Sequence, residues 1–436
     1  MYNLKKISFI LISAVTLVVV ALVFYMVTPS GVYQDSGNQA TKIYFADNIS
    51  PAHQELINRF NSEYEGQIEV IPIHLPFSKF STNERKELLA RTLRSKSNRI
   101  DLFAVDLIWS PRFARWSYPL DNYFNETKLD ELIDPAIKSC YYNDQLVAAP
   151  FYIDISLMYY RKDIIQSLPD GFEVEKKIKE SMSWEDFINL SFRFRDKENN
   201  FYLFAADSYE GLMCSFVEGL ANQNSSLYND GTIQINTPES FKALQLLVAL
   251  VHKYKVTPQI VTEYDEFQCY KYALKNNSVF FRGWPGLLTH YDPEEFGLDS
   301  FESLDIAPLP HFGNSDPASV FGGWNLMISK FSTKIEEAVK FINFIMREEN
   351  QKIFFELGGY LPTLYEIYND SAYLAKNPEL RFYNELFQYG VHRPHLVNYT
   401  KISDELSQFL NAAIRKQLTV KEALGRASEK IQSVVE

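Results

Sequence analysis

From residue 41 onward the chain alternates two kinds of hydrophobic pattern. "KIYFA" and "IEVIPI" are short apolar runs that predict strands, and between them "SPAHQELINRFNSEYEG" carries apolar residues at helical spacing. Ser50 is placed to cap that helix, Pro51 suits its first position and Gly66 lies past its end. The order then recurs. "STNERKELLARTLRSKS" predicts an amphipathic helix whose basic residues form its outer face, and "IDLFAVD" is an apolar run of the kind found in a buried parallel strand. This alternation predicts a layered α/β domain with a largely parallel sheet.

Beyond it, "QLVAAPFYIDISLMYYRKDII" reads as extended chain that gathers Phe151, Tyr152, Tyr159 and Tyr160 around Asp154. Helical patterns follow to about residue 260, including "SWEDFINLSFRFRDK", where Ser183 and Asp186 mark a helix start. "NNSVFFRGWPGLLTHY" delivers a strand into Trp284 and Pro285, and "TKIEEAVKFINFIMREENQKIFFELGGYLPT" is a strongly periodic helix pair. Residues 319 to 330, "SVFGGWNLMISK", read as a strand interrupted by two glycines just before Trp324. Glycines inside a strand mark either a β-bulge or a place where another backbone or a ligand comes close. On these residues alone both readings stand.

The N-terminus carries a different pattern. Ile7 to Val27 is an uncharged apolar run long enough to span a bilayer as a helix. Lys5 and Lys6 before it place the N-terminus inside and the body outside, and "TPSG" after Val27 is a poor cleavage signal. Residues 1–40 are therefore expected to be a transmembrane anchor or signal segment with a polar linker, holding an exported body at the outer face of the cytoplasmic membrane.

Composition narrows the function. With 436 residues and 46% hydrophobic content the chain can bury a large core, and its length favours two lobes. A net charge of -12 with no dense Lys/Arg cluster argues against a nucleic-acid partner. Cys140, Cys214 and Cys269 are isolated; two of them could pair in an exported protein, but the odd count without CxxC favours buried thiols. No zinc-type His/Cys spacing occurs, so neither metal nor cofactor is predicted.

One chemistry recurs at several element ends: an aromatic ring beside a carboxylate, amide or guanidinium. Asp106 stands with Trp109, Tyr152 with Asp154, Arg282 with Trp284, Trp324 with Asn325, and Arg393 follows in "HRPHL". Asp106 ends a strand, where ligands sit in open α/β sheets, although a helix cap is the alternative use for such an aspartate. Sugars call for this combination, because a pyranose has an apolar face for a ring and a rim of hydroxyls for Asp, Asn or Arg.

With these motifs in view, the chain from about residue 41 to 436 resembles the extracellular carbohydrate-binding proteins of bacterial and archaeal ABC importers, the family 1 solute-binding proteins, in their maltose- and trehalose-binding branch. The resemblance is carried by "DLFAVDLIWSPRFARWSYPLDNYF", "APFYIDISLMYYRKDII", "FFRGWPGLLTHY", the "PLPHFGNSDPASVFGGWNLMISK" stretch, "GGYLPT" and the late Arg393-Pro394. It implies a periplasmic-binding-protein-like fold of two α/β lobes with hinge crossovers, 41–150 plus 308–365 and 151–307 plus 366–436, closing on a ligand. It also implies that Asp106 and Asp154 hold sugar hydroxyls, Tyr152, Trp284 and Trp324 stack, Gly322 and Gly323 contribute backbone, and Arg393 closes the polar rim, with Trp109 beside Asp106. Two positions depart from the family pattern. Gly286 follows Pro285 where relatives often place an aromatic residue, and "ADNISPAH" lacks an acid that relatives present, for which Asp47 could substitute. The implied protein is a monomeric receptor, not an enzyme, that hands a sugar to an ABC permease; a membrane-tethered sugar sensor and a glycoside-acting enzyme are the alternatives.

Overall fold

The computed structural model describes residues 40–76, 82–194, 200–229 and 231–435. The expected apolar helix at 7–27 lies outside them, and among the described residues no helix is long and apolar enough to cross a membrane.

The first predicted unit forms as its pattern requires. Strands β1 (Thr41–Asp47) and β2 (Ile68–His74) pair in parallel, Thr41 opposite Ile68, and the helix Pro51–Glu63 connects them. Ser50 caps that helix by accepting the His53 N–H, and Ala52, His53, Leu56, Ile57 and Phe60 form its buried stripe. After the helix Thr82–Arg94, β3 (Leu102–Asp106) joins the other side of β1, also in parallel. A short hairpin of β4 (Tyr141–Tyr142) and β5 (Gln145–Leu146) precedes β6 (Ala149–Ile155), which returns to this first sheet.

The second sheet has four strands. β7 (Leu157–Arg161) is flanked by β12 (Leu304–Ala307) and β11 (Phe280–Gly283), both antiparallel to it, and β8 (Tyr202–Leu203) adds to β11 in parallel. Between β8 and β11 lies a second hairpin, β9 (Tyr228–Asn229) with β10 (Thr232–Ile233). The long β13 (Ser319–Ile328) then goes back to the first sheet and runs antiparallel to both β3 and β6, with β14 (Gly390–Val391) at its start. The first sheet is therefore mixed, in contrast to the largely parallel sheet expected. Its parallel half comes from βαβ crossovers, whereas β13 arrives from the opposite direction after the excursion through the second sheet.

Two passages link the sheets. β6 gives way to β7 across the single residue Ser156, and β12 leads to β13 through 308–318. They are tied at one point, for Ser156 N donates to Val320 O at 3.0 Å while Val320 N donates to Ser156 Oγ at 2.8 Å. The three cysteines are buried and free.

Candidate functional site

The register of β13 assembles the predicted residues. Gly322 lies opposite Asp154 of β6, while Trp324 faces Tyr152 of β6 on one side and Asp106 of β3 on the other. The register against β6 shifts between Trp324 and Asn325, so the bulge read from the two glycines is present. Gly323 has φ of 119°, and a Cβ there would stand 2.4 Å from the Tyr152 carbonyl oxygen. Only glycine fits. At Gly322 a Cβ would lie 2.9 Å from Cζ3 of Trp284. The space each glycine clears is thus filled by the protein itself, by the β6 backbone and by the ring of Trp284, where the sequence reading had a ligand approaching.

Trp324 is nearly buried. The Arg85 guanidinium sits 4.4 Å from its ring centroid, and Trp109 packs edge-to-face against it with centroids 5.5 Å apart. Trp109 itself is 2% exposed and also stacks near Phe113, so it supports Trp324 from the core and does not face a ligand space as its pairing with Asp106 suggested. Arg85 and Lys86 correct a second expectation, since both are buried and not on the outer face of their helix. Arg85 Nη2 pairs with Asp47 Oδ1 at 2.8 Å, and Asp47 also faces His53 Nε2 at 3.3 Å. Asp47, considered as a substitute ligand acid, is engaged in holding Arg85.

Arg393 is likewise committed. Its Nη1 pairs with Glu210 Oε1 at 2.8 Å, and its Nη2 reaches Asp106 Oδ1 at 3.4 Å and Phe321 O at 3.3 Å. Glu210 also accepts from the Tyr399 hydroxyl at 2.9 Å and from Ser403. Arg393, expected to close the polar rim, thus joins the end of β3 to the helix Glu210–Ala221 and is 3% exposed. Asp106 does cap the turn after β3, accepting Ile108 N at 3.1 Å, so both readings of that aspartate apply. Burial pushes the Asp106 carboxyl up, against the opposing charge of Arg393 and the Ile108 hydrogen bond.

Asp154 has no such partners. Among the described residues its carboxylate accepts no hydrogen bond and enters no ion pair, and burial, followed by the negative charge of Asp106, pushes its pKa up to about 8. Tyr152 and Tyr360 stand together near it, ring centroids 4.5 Å apart, and Tyr360 stacks on Phe354 at 4.2 Å.

Trp284 faces the same region from the second sheet. Its backbone N–H donates to the Tyr270 hydroxyl at 3.1 Å, its carbonyl accepts from Tyr159 at 2.7 Å, and its indole N–H reaches Glu266 at 3.4 Å. Arg282, paired with Glu218 at 2.7 Å, lies 4.7 Å from the ring centroid. Glu266 also accepts from the Tyr209 hydroxyl. Sequence reasoning missed Arg85, Tyr209, Tyr360 and Tyr399. Glu210 and Glu266, in "DSYEG" and "DEF", hold Arg393, Tyr209 and Trp284. An acid without a partner among the described residues, beside rings held next to both sheets, is suited to accept hydroxyl donors from a bound polar ligand.

Comparison with known proteins bears on the same region. Residues 55–381 match the family described as bacterial extracellular solute-binding protein. A probable ABC transporter-binding protein of Deinococcus radiodurans is 23% identical over 359 residues, 80% of this chain and 83% of that protein. A maltooligosaccharide ABC transporter solute-binding lipoprotein of Streptococcus pneumoniae is 23% identical over 290 residues, 63% of each chain. Among solved structures, maltose-bound MalE3 of T. maritima has a TM-score of 0.79 at 26% identity, covering 91% of this chain and 100% of that one. The architecture is accordingly the two-lobed α/β fold of periplasmic binding proteins.

Proposed function

The chain belongs to the bacterial extracellular solute-binding proteins, a family of binding proteins and not of enzymes, and from that premise we propose that it takes a sugar or short oligosaccharide between its lobes and delivers it to an ABC-type permease. The observation that carries the sugar reading is Asp154, an acid that accepts no hydrogen bond among the described residues and is set among Tyr152, Tyr360 and Trp284. A carboxylate accepts two hydroxyls at once, and the rings offer the apolar faces that a pyranose covers.

In this reading Asp154 and Asp106 receive hydroxyls, and Tyr152, Trp284 and the remaining edge of Trp324 meet sugar faces. Trp109, Gly322, Gly323 and Arg393 position those groups. The maltose- or trehalose-type ligand is supported by the maltose bound to MalE3 and by the maltooligosaccharide named for the pneumococcal relative. In this reading the lobes are about 41–150 plus 308–365 and 151–307 plus 366–436, except that the pairing of β6 in the first sheet through Ile155 favours moving the first boundary from 150 to Ser156. In this reading residues 7–27 tether a monomer to the outer face of the membrane; the pneumococcal relative is named as a lipoprotein.

Calorimetric titration with glucose, maltose, trehalose and maltotriose tests the reading. Saturable binding of at least one, weakened tenfold or more in Asp154→Ala, is the expected result. Heats no larger than dilution for all four would remove the sugar assignment.

A further inference from the structure

Away from the strand crossings, two further contacts join elements that belong to different sheets. One is backbone against backbone. Gly359 ends the helix Glu348–Gly358, which packs on the helix Pro51–Glu63 of the first sheet, and Gly286 lies just past β11 of the second. A Cβ on Gly359 would stand 2.6 Å from the Gly286 Cα, and this contact is uncharged.

The other contact is polar. The helices Thr82–Arg94 and Ser110–Phe113 lie on either side of β3 in the chain, whereas the helix Tyr399–Ile414 packs against Glu210–Ala221 and Pro238–His252, which follow β8 of the second sheet. Between these elements Lys86 Nζ pairs with Asp404 Oδ2 at 3.4 Å, and Arg112 Nη1 donates to Thr400 Oγ1 at 2.9 Å. The two ends of the ion pair differ in burial: the Lys86 side chain is 3% exposed and that of Asp404 is 42% exposed. An ammonium enclosed to that degree is disfavoured unless an opposite charge accompanies it. Here such a charge comes from a residue 318 positions away, on a helix packed beside the other sheet.

We propose that the Lys86–Asp404 pair is an electrostatic latch across the cleft, which favours the closed arrangement of the lobes and makes ligand affinity fall as ionic strength rises. The proposal rests on the reading in which the ligand lies between the two lobes. When the lobes part, Asp404 leaves with its helix and water reaches the Lys86 amine. Closure covers that amine again and returns Asp404 to it. Asp404 is thus a positioning residue: it biases the equilibrium between open and closed states, and affinity follows the closed population. Removing its carboxylate penalises the closed state, in which Lys86 is covered, and leaves the open state almost unaffected.

The test uses the full chain in detergent, with dyes on Lys340→Cys and Phe172→Cys, and reads energy transfer between them together with calorimetric titration of maltose. Lys340 is exposed on the helix Ile335–Ile345, which packs on β1 and β13, and Phe172 is 79% exposed on the helix Gly171–Lys179, which packs on β12; the native cysteines are buried. Salt is varied from about 0.01 M to about 1 M, over which the Debye length falls from ~30 to ~3 Å. Asp404→Ala is expected to bind maltose at least tenfold more weakly, to show less closure at low salt and to keep its urea midpoint within error of the parent. The parent is expected to lose at least threefold in affinity across the salt range. Lys86→Met/Asp404→Leu, which removes both charges, should recover to within about threefold of the parent and show no salt dependence. Unchanged closure and affinity in Asp404→Ala overturn the latch, as does a salt dependence that persists in the double variant. A fall in the urea midpoint of Asp404→Ala without ligand also overturns it, because the pair would then hold the fold and not the closed state. Failure of maltose to bind the parent counts against the maltose-type ligand alone, since the dependence of energy transfer on salt and on Asp404→Ala still decides the latch.

Discussion

Gly322 and Trp284 meet with no room between them for a side chain: a Cβ at 322 would stand 2.9 Å from the Trp284 ring, and 3.3 Å from the Asp154 Cβ. One glycine thus sets the distance between an indole from the second sheet and an acid on the first. Gly322→Ala should push the indole away, because the Trp284 backbone is pinned at both its N–H and its carbonyl and the ring alone can yield. Overpacking of this kind costs about 1–3 kcal/mol. The expected outcome is a loss of that size in urea unfolding with an approximately tenfold fall in sugar affinity. A stability loss with unaltered affinity would place Trp284 outside the site.

The Arg85 guanidinium lies between Asp47 and the face of Trp324, and the residue is fully buried. Removing one partner of a buried ion pair leaves the other charge unneutralised, at a cost of about 3–5 kcal/mol. Arg85→Met should show that loss in urea unfolding, and adding Asp47→Asn should restore a substantial part of it. A basic residue on a solvated helix face would give a change within about 0.5 kcal/mol.

These two contacts show what the sequence disclosed and where it was silent. The first βαβ unit was legible because Ser50, Pro51 and the apolar spacing act locally, and each does in the fold what its residue type favours. The direction of β13 was not legible. All ten of its residues are buried, and an apolar run carries no sign of which way the chain returns. Arg85 was readable and was misread: with Lys86, Leu89, Ala90 and Leu93 it forms the inward stripe of its helix, but long basic side chains suggested solvent. The fold brings the aromatic and acidic pairs together, yet nothing local could tell Asp154, whose carboxylate has no hydrogen-bond or ion-pair partner among the described residues, from Asp106, whose partner Arg393 lies 287 positions away.

Arg393 holds Glu210 and Asp106 with different nitrogens of one planar group. A lysine keeps the charge but has no fork to span both acids. Arg393→Lys is therefore expected to lose about 1–3 kcal/mol of stability, the range for a charged hydrogen bond left unmade in a buried setting. It should also weaken ligand binding, since Asp106 is released from its fixed position. Retention of both properties would show that charge alone matters here, and denaturant melts alongside titration decide between the two.

Asp154 gives the protein a pH signature whose sign follows from its shift. In the unliganded fold its pKa stands at about 8 against an ordinary 3.8, for reasons of burial first and the Asp106 charge second. Between those values the folded state holds a proton that the unfolded chain has released, so this group makes stability fall as pH rises from about 4 to 8, with a slope of at most ~1.4 kcal/mol per pH unit. Asp154→Asn removes that fall and should be more stable than the parent at pH 8 but not at pH 4. Ligand binding runs the other way, because hydroxyl donors favour the ionised acid: affinity should rise with pH up to about 8 and then level off, with proton release detectable as a buffer-dependent heat. In Asp154→Asn both profiles should flatten. A parent affinity independent of pH from 5 to 8 would mean that this acid stays neutral when the ligand is held, donating a hydrogen bond instead of accepting two.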